Sequence, residues 1–273
     1  MGVDEVRFEA LGSDCHVLGV GLDRGRLAWA AGWVAERHER FSRFEPASEL
    51  ARLNACGGSW IAVSAELEGL LRAALDAHRV SGGLVHAGVL PSMRAIGYTR
   101  PLQLGPTAAV LAEAAPPAPL PELLEVEAGR ARVEAGAGID LGGIAKGWLA
   151  DRLAAELGEN CVVNLGGDLF ARGPGPAGDG WPVGLGGATV LLRDQGAATS
   201  GVRRRAWRMD GERLHHLIDP RTGLPATTDL AEVSVVAASA TDAEVHAKAA
   251  LLLGGREAPA YLAGRALAWW LAG

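Results

Sequence analysis

The sequence predicts an α+β fold, a single domain across residues 1–273 in which helices flank mixed sheets. Strand and helix patterns interleave along the chain, and hairpin-type turns are frequent, which favours a mixed sheet over a purely parallel one. The composition, 49% hydrophobic and 21% charged, is that of a globular protein with a large core. A Pro- and Ala-rich connector is predicted at about residues 101–121, between two lobes.

Alternating and helical hydrophobic spacings define the elements of the first half of the chain. In order, they are two strands across residues 5–22 with a turn at Gly12-Ser13, a helix over 27–40, a short helix with Ser48 as N-cap, and a helix over 65–80, followed by a glycine-rich corner at 81–88.

The second half is richer in short strands. Its predicted elements are strands at 123–126 and 132–134, a helix ending near 157, a strand at 161–165, an exposed hairpin or loop at 172–188, strand segments at 190–192 and 197–200, a segment at 215–218 running into a turn at 219–223, a strand at 232–237, and a helix over 242–253.

Bulk properties exclude several classes of protein. The net charge of -6 and the lack of a basic block argue against nucleic acid as a partner, and the longest basic run, residues 203–205, is expected to be a solvated loop. The cysteines Cys15, Cys56 and Cys161 share no metal or redox spacing and are expected to be buried thiols in a reducing compartment. With no membrane-length apolar run and no signal-peptide pattern at the start, a cytoplasmic protein is expected.

The segment from Asp140 to Asp151, DLGGIAKGWLAD, is the most informative stretch of the chain. Two glycines follow an acid and precede a helix, a combination that brings backbone N–H groups and the positive helix end close to a phosphate. Only two of the 26 basic residues are lysines, Lys146 and Lys248. A lysine in the first helical turn is disfavoured by the dipole unless an anion is present. The alternative is a helix capped by Asp140 with an exposed lysine nearby.

Three further motifs carry weaker signals. Asn164-Leu-Gly-Gly-Asp168 is either a second approach of backbone to ligand or, more often, an ordinary tight turn. His216-Leu-Ile-Asp-Pro-Arg-Thr-Gly223 places a histidine before a strong turn, where it serves as a base, a clamp or a structural residue. Ala198-Thr-Ser-Gly201 adds two hydroxyls at a glycine bend.

Glu244 and Lys248 lie four residues apart on the last predicted helix. The simplest interpretation is a capping box, Thr241-x-x-Glu244, together with a favourable surface pair of opposite charge. The alternative places Glu244 at a cation site.

Taken in succession, these motifs resemble the FAD:protein FMN transferase family, the ApbE type, over nearly the whole chain, including residues 41–54, which end in Ser-Glu-Leu-Ala-Arg-Leu-Asn. The resemblance implies a central flavin-binding cleft, FAD as substrate, Mg2+ as cofactor, and post-translational transfer of FMN to a threonine or serine hydroxyl of an acceptor flavoprotein, with release of AMP.

The resemblance also implies roles for individual residues. The expected catalytic residues are His216, Asp140 and Lys146, with the general base unassigned between His216 and Asp140. The expected FAD contacts are Leu11, Phe44, Val85, His86, Ala87, Asp140, Lys146 and Ile218, and the expected metal ligands are the Gly143 carbonyl and Glu244.

The chain departs from the family pattern at the flavin wall and at the metal site. Val85-His86-Ala87-Gly88 stands where the family has Phe-Asp-Pro-Thr, and Leu11-Gly12-Ser13 where it has Met-Gly-Thr. The family's metal-binding Asp and Thr correspond to Glu244 and Lys248, and a protonated lysine cannot ligate a cation. We therefore expect the Lys248 ammonium, held by Glu244, to take the place of Mg2+. Two alternative functions stay open: a non-catalytic FAD-binding homologue and an FAD pyrophosphatase that yields FMN and AMP.

Overall fold

The computed structural model describes residues 2–158, 160–209 and 211–273. Its strands are β1 Val3–Ala10, β2 Ser13–Val20, β3 Ile61–Ala62, β4 Leu124–Glu127, β5 Arg130–Val133, β6 Cys161–Leu165, β7 Asp168–Arg172, β8 Trp181–Leu185, β9 Ala188–Leu192, β10 Gln195–Gly201, β11 Ala206–Met209, β12 Glu212–His215, β13 Ile218–Asp219, β14 Leu224–Pro225, β15 Glu232–Ala237 and β16 Ala268–Ala272. Its α-helices are α1 Arg24–Phe41, α2 Glu49–Asn54, α3 Ala65–Val80, α4 Leu90–Ala95, α5 Leu120–Leu123, α6 Ala145–Leu157 and α7 Ala240–Leu262.

The central element is an antiparallel sheet with strand order β1-β2-β6-β7-β10-β15-β16. Helices α6 and α7 cover its inner face, and the β8–β9 hairpin packs on the apolar part of its outer face. The small sheet β3-β5-β4 lies beside α2 and α3 and extends the main hydrophobic core. The α+β prediction is confirmed.

Helices α6 and α7 meet at a close crossing. A Cβ at Gly147 would lie 2.5 Å from the Ala240 carbonyl oxygen, so only glycine permits this approach. Asp151 on α6 accepts hydrogen bonds from the Ala240 and Thr241 backbone N–H groups (2.7 and 3.0 Å) and from the Thr241 hydroxyl (2.6 Å). Asp151 thus satisfies donors at the first turn of α7 that the helix itself leaves unpaired.

We expect Asp151→Ala to lower the free energy of unfolding by about 2–3 kcal/mol, because it removes a helix cap and leaves partly buried donors unpaired. Urea denaturation measures the change. Asp76→Ala is the matched control, since Asp76 is 62% exposed and pairs only with Arg79 on its own helix. The control should change stability by less than about 0.5 kcal/mol. Equal effects of the two substitutions would contradict the bridging role of Asp151.

Most long elements agree with the sequence predictions. Helix α3 has the predicted bounds, β6 and β15 coincide with their predicted strands, and Ser48 caps α2 by accepting from the Ala51 N–H at 2.9 Å. Cys15 and Cys161 are buried, Cys56 is half-buried, and all three thiols are free. Burial raises the pKa of both Cys15 and Cys161 to about 11.

Several predicted boundaries were wrong. The first hairpin turns at Leu11-Gly12, one residue earlier than predicted. The segment 172–188 is not wholly exposed, because Trp181 of β8 is buried under the sheet. Helix α7 continues beyond residue 253 to Leu262, across a kink at Gly254. Strands β3, β7 and β16 and the β11–β12 hairpin were missed, since their pairing partners lie far away in sequence or their runs are short.

The predicted connector contains two short 3-10 turns and the start of α5. It is tied to α4 by the Val110 N–H, which donates to the Ala95 carbonyl at 2.7 Å, and by the Ser92 hydroxyl, which donates to the Ala115 carbonyl at 3.0 Å. The division into two lobes stays a prediction. No helix among the described residues is long and apolar enough to cross a membrane.

Candidate functional site

A cavity of about 650 Å³ opens between the α1–α2 loop, the segment before α4, the glycine bend before α6 and the segment after β12. Its wall contains almost all residues expected to act on FAD, although they come from distant parts of the sequence. They are Leu11, Phe44, Val85, His86, Ala87, Asp140, Gly143, Lys146, His216 and Ile218, with Lys248 beside them. The exception is Glu244, which lines a second, adjoining cavity.

Asp140 is fixed at the glycine bend by three contacts. Its backbone N–H donates to the Ala87 carbonyl at 2.8 Å, and its carboxylate accepts from the Gly142 N–H at 2.8 Å and pairs with Arg43 at 2.5 Å. The helix cap expected in the alternative interpretation is wrong, because α6 begins at Ala145 after Ile144, which makes no side-chain cap. With both carboxylate oxygens engaged, Asp140 is suited to hold the bend rather than to accept a proton.

An aromatic wall surrounds Arg43, and Phe44 is the one member of it that the sequence analysis predicted. The Arg43 guanidinium lies 4.0 Å from the Phe44 ring centroid and 4.5 Å from that of Tyr98. Tyr98 in turn packs against Trp207, with ring centroids 5.8 Å apart. Arg43 Nη2 and Trp207 Nε1 are buried without a hydrogen-bond partner among the described residues. Phe44, Tyr98 and Arg43 line the cavity and offer ring surfaces and one free donor to a flat heteroaromatic ring.

His86 fits the same wall as a neutral side chain. Its Nδ1 accepts from the Gly88 N–H at 3.0 Å, and its Nε2 lies 3.0 Å from the Ala118 carbonyl, an arrangement that requires a proton on Nε2 only. Burial, together with the neighbouring His78, lowers the pKa of His86 to about 4. The residue that stands in the position of a family acid therefore carries no charge at neutral pH.

Lys146 is a largely buried cation at the meeting point of the two cavities. Its side chain is 14% exposed and contacts the buried Asp168 carboxylate, and its ammonium lies 3.9 Å from Glu244 Oε1. The expectation of an exposed lysine is therefore wrong. Burial lowers the pKa of Lys146 to about 8, and Arg205 and Lys248 act in the same direction, whereas Glu244 opposes them. The Asp168 carboxylate also favours the charged form, so Lys146 is an ammonium at neutral pH.

Lys248 reaches the glycine bend from α7. A Cβ at Gly143 would overlap the Lys248 ammonium, so glycine at this position is what leaves room for the cation. Burial lowers the pKa of Lys248, opposed by the charges of Glu244 and Asp140. The expected direct pairing with Glu244 is wrong for the described residues, where Lys248 has no carboxylate within 4.0 Å. The charge of Glu244 acts on Lys248 from a longer distance.

Glu244 is buried and bonded to α6, which corrects its expected surface role. Its Oε2 accepts the Gly147 N–H at 2.8 Å, and the side chain is 4% exposed. The predicted capping box is also wrong, because Ser239 caps α7 by accepting the Asp242 N–H at 3.0 Å. Thr241 is instead bonded to Asp151. Tertiary contacts between α6 and α7 thus override the local capping pattern.

Arg205 is a further cation of the site and was wrongly expected to be a solvated loop residue. Its guanidinium donates to Ser13 Oγ at 2.6 Å and to the Leu11 and Gly12 carbonyls at 3.2 Å. It lines both cavities. These bonds link the segment after β10 to the first hairpin turn.

His216 faces the same cations. Its Nδ1 is buried without a hydrogen-bond partner among the described residues. Burial lowers the pKa of His216 well below 6.5, and the charges of Arg205, Lys248 and Lys146 lower it further. The imidazole is therefore neutral at pH 7, with a nitrogen free to accept or donate a proton.

The second cavity, of about 1020 Å³, meets the first at seven shared residues. These are Gly12, Gly142, Lys146, Arg205, His216, Leu217 and Lys248. The Asn164–Asp168 motif forms the tight turn expected of it, with the Gly167 N–H donating to Asn164 Oδ1 at 2.8 Å, and it also lines this cavity. Two openings therefore converge on one cluster of cations beside a neutral histidine.

Comparison with known proteins identifies relatives of this chain. The ApbE family model matches residues 11–269. The FAD:protein FMN transferase of Treponema pallidum is 36% identical over 239 residues, covering 76% of this chain and 65% of that protein. The Escherichia coli K12 protein of the same name is 32% identical over 133 residues, 44% of this chain and 38% of its own length. The chain thus spans less than two thirds of the length of each of these curated relatives.

Solved structures share the fold. The ApbE protein of Thermotoga maritima superposes with a TM-score of 0.86 at 24% identity, covering 99% of this chain and 94% of that one. The apo flavinyl transferase ApbE of Pseudomonas stutzeri gives a TM-score of 0.84 at 23% identity, covering 99% and 90%.

Proposed function

Since the chain belongs to the ApbE family, we propose that it is an FAD:protein FMN transferase, which moves FMN from FAD to a threonine or serine hydroxyl of an acceptor protein and releases AMP. The observation that carries this proposal is the convergence of two cavities on Lys146, Lys248 and Arg205, beside the neutral His216. An anion entering the first cavity meets these cations, and a second substrate can reach the same point from the second.

The proposed reaction exchanges one phosphorus–oxygen bond for another. The acceptor hydroxyl oxygen bonds to the phosphorus of the FMN half, the bridging bond of the diphosphate breaks, and the electrons leave on AMP. Phosphoryl transfer needs positioning and positive charge more than covalent help from the enzyme. Lys146, Lys248 and Arg205 supply the charge. The free Nδ1 of His216 takes the hydroxyl proton, while Asp140 holds the glycine bend.

The flavin ring is assigned to the aromatic wall. Phe44 and Tyr98 present ring surfaces, with centroids 5.6 Å apart, and Arg43 adds a free donor. Leu11, the segment 85–87 and Ile218 provide the remaining apolar contacts. Phe44 and Tyr98 are half-buried, so a flavin ring stacked on them is partly shielded from water.

The Mg2+ that the family resemblance implies does not fit the residues present. The Lys248 ammonium lies against Gly143, the Glu244 Oε2 is bonded to the Gly147 N–H, and no cluster of three metal-ligating side chains occurs in the described part of the chain. A divalent cation would also meet the repulsion of Lys146 and Arg205. We infer that Lys248 takes the place of the metal and that transfer proceeds without a divalent cation.

A transfer assay tests the proposed activity. The protein is incubated with FAD and a candidate acceptor protein, and covalent flavin fluorescence on the acceptor is followed together with AMP release. Labelled acceptor with equimolar AMP supports the transferase. AMP and free FMN without labelling indicate a pyrophosphatase, and FAD binding without AMP indicates a non-catalytic flavin-binding protein. Absence of FAD binding would remove the flavin assignment altogether.

The lowered pKa of His216 gives a pH prediction. A base must be neutral to accept a proton, and a depressed pKa keeps His216 neutral as the pH falls through 6.5. The kcat/KM for FAD, which reports the free enzyme, should therefore stay level from about pH 7 to about pH 6 and decline at lower pH, whereas a loss near and above pH 8 is expected from deprotonation of Lys146, whose pKa is about 8. Initial AMP-release rates at subsaturating FAD measure it. Half-maximal kcat/KM near pH 6.5 would contradict the assignment.

A further inference from the structure

The second cavity is the polar end of the outer face of the central sheet. At the other end of that face, the β8–β9 hairpin covers apolar side chains, among them Val162, Leu169 and Val236. Further along the same strands the side chains become polar: His16, Asn164, Thr199 and Ser234 line the cavity, and the Thr199 and Ser234 hydroxyls are 2.8 Å apart. Residues 181–186 of the hairpin also line the cavity, so the hairpin forms one side of a groove beside these polar residues.

One wall of this groove is an unpaired strand edge. Strand β10 pairs with β15 along residues 196–201, but with β7 only along residues 195–197. In the described part of the chain, no strand pairs with residues 199–201 on the β7 side. Such an edge presents backbone N–H and C=O groups that bind an extended peptide by strand addition. Its end lies near His216 and Lys146, which line the same groove.

The rim of the groove is basic. Arg203 and Arg204 are exposed, line the groove, and form no ion pair with the described residues, whereas Arg205 is anchored on Ser13 at 2.6 Å. The groove also contains Asp14 and Glu232, so the positive charge is confined to the bend after β10. The chain as a whole is acidic, with a net charge of -6, and repels an acidic partner over most of its surface. Arg203 and Arg204 attract such a partner locally, and they therefore favour acidic binding at this groove.

We propose that the acceptor protein docks an extended, acidic segment in this groove. Its backbone pairs with the free edge of β10, its carboxylates face Arg203 and Arg204, and its threonine or serine hydroxyl reaches the His216 side of the cation cluster. The proposal rests on the proposed transferase function and assigns the two cavities to different substrates, FAD in the first and the acceptor segment in the second.

The test uses a fluorescently labelled synthetic peptide with a central threonine flanked by glutamates, together with the same peptide carrying glutamines or lysines. Fluorescence anisotropy should show binding of the glutamate peptide at least about tenfold tighter than either of the others. The double variant Arg203→Glu, Arg204→Glu should abolish this preference while its FAD affinity stays within twofold. Arg208→Glu, an exposed arginine outside both cavities, is the control and should leave both affinities unchanged.

Two outcomes would overturn the docking site: equal affinity for the three peptides, or an unaltered preference in the double variant. These outcomes are distinct from failure of the transferase function, which shows as absence of covalent flavin on a candidate acceptor protein incubated with FAD and the wild-type protein, with or without AMP release.

Discussion

A Lys248→Met variant is expected to bind FAD about 10–100-fold more weakly than the wild-type protein, and Mg2+ is not expected to restore the affinity. The substitution keeps an unbranched side chain of similar length and removes only the charge. A hydrogen bond to a charged group contributes about 1.5–3 kcal/mol, which corresponds to this loss. Isothermal titration of FAD, in EDTA and in excess Mg2+, measures both quantities, and the wild-type affinity should be the same in the two buffers.

A second variant converts the ammonium site into a metal site. Glu244→Asp together with Lys248→Thr supplies oxygen ligands beside the Gly143 carbonyl, which Mg2+ prefers. This double variant should bind FAD weakly in EDTA and regain affinity when Mg2+ is added. Arg208→Met serves as a charge-loss control, because Arg208 is exposed and lines neither cavity. Tenfold or greater tightening of wild-type FAD binding by Mg2+ would refute the metal-free site.

The features that the sequence predicted well depend on local signals. Helix α3 follows from its hydrophobic spacing, and the glycine bend with Lys146 follows from residues adjacent in the chain. The scarcity of lysine drew attention to Lys146 and Lys248, which line the same cavity although they are far apart in sequence. In such cases residue type and spacing alone are informative.

The features that were missed depend on contacts between distant segments. Arg205 belongs to a basic run that is indistinguishable from a solvated loop in sequence, and its importance comes from a bond to Ser13, 192 positions away. The pairing of Tyr98 with Trp207 likewise joins two loops of unrelated sequence. Glu244 was assigned to a surface pair because its spacing to Lys248 matches a helical ion pair, whereas α6 buries it. Local sequence patterns do not predict these long-range contacts.

Replacing His216 by alanine is expected to lower the rate constant of FMN transfer by about 10²–10⁴-fold, the usual contribution of general base catalysis. FAD affinity should change by less than about threefold, since the neutral imidazole adds no charge to the diphosphate site. Single-turnover labelling of a candidate acceptor, with AMP release, measures the rate constant apart from binding. His246→Gln is the matched control, because this buried histidine bonds to the Tyr261 hydroxyl at 2.9 Å and lines neither cavity.

The pattern of losses separates the roles proposed for the site. If His216→Ala lowers FAD affinity as much as it lowers the rate, His216 is a binding residue. If the rate is unchanged, another group is the general base. Asp140 would then be the next candidate, although its carboxylate is already bonded to Arg43 and to the Gly142 N–H. Because His216 has a free ring nitrogen and Asp140 has none of its oxygens free, the two residues predict opposite results in one measurement: Asp140→Asn should disturb FAD binding first, and His216→Ala the transfer step alone.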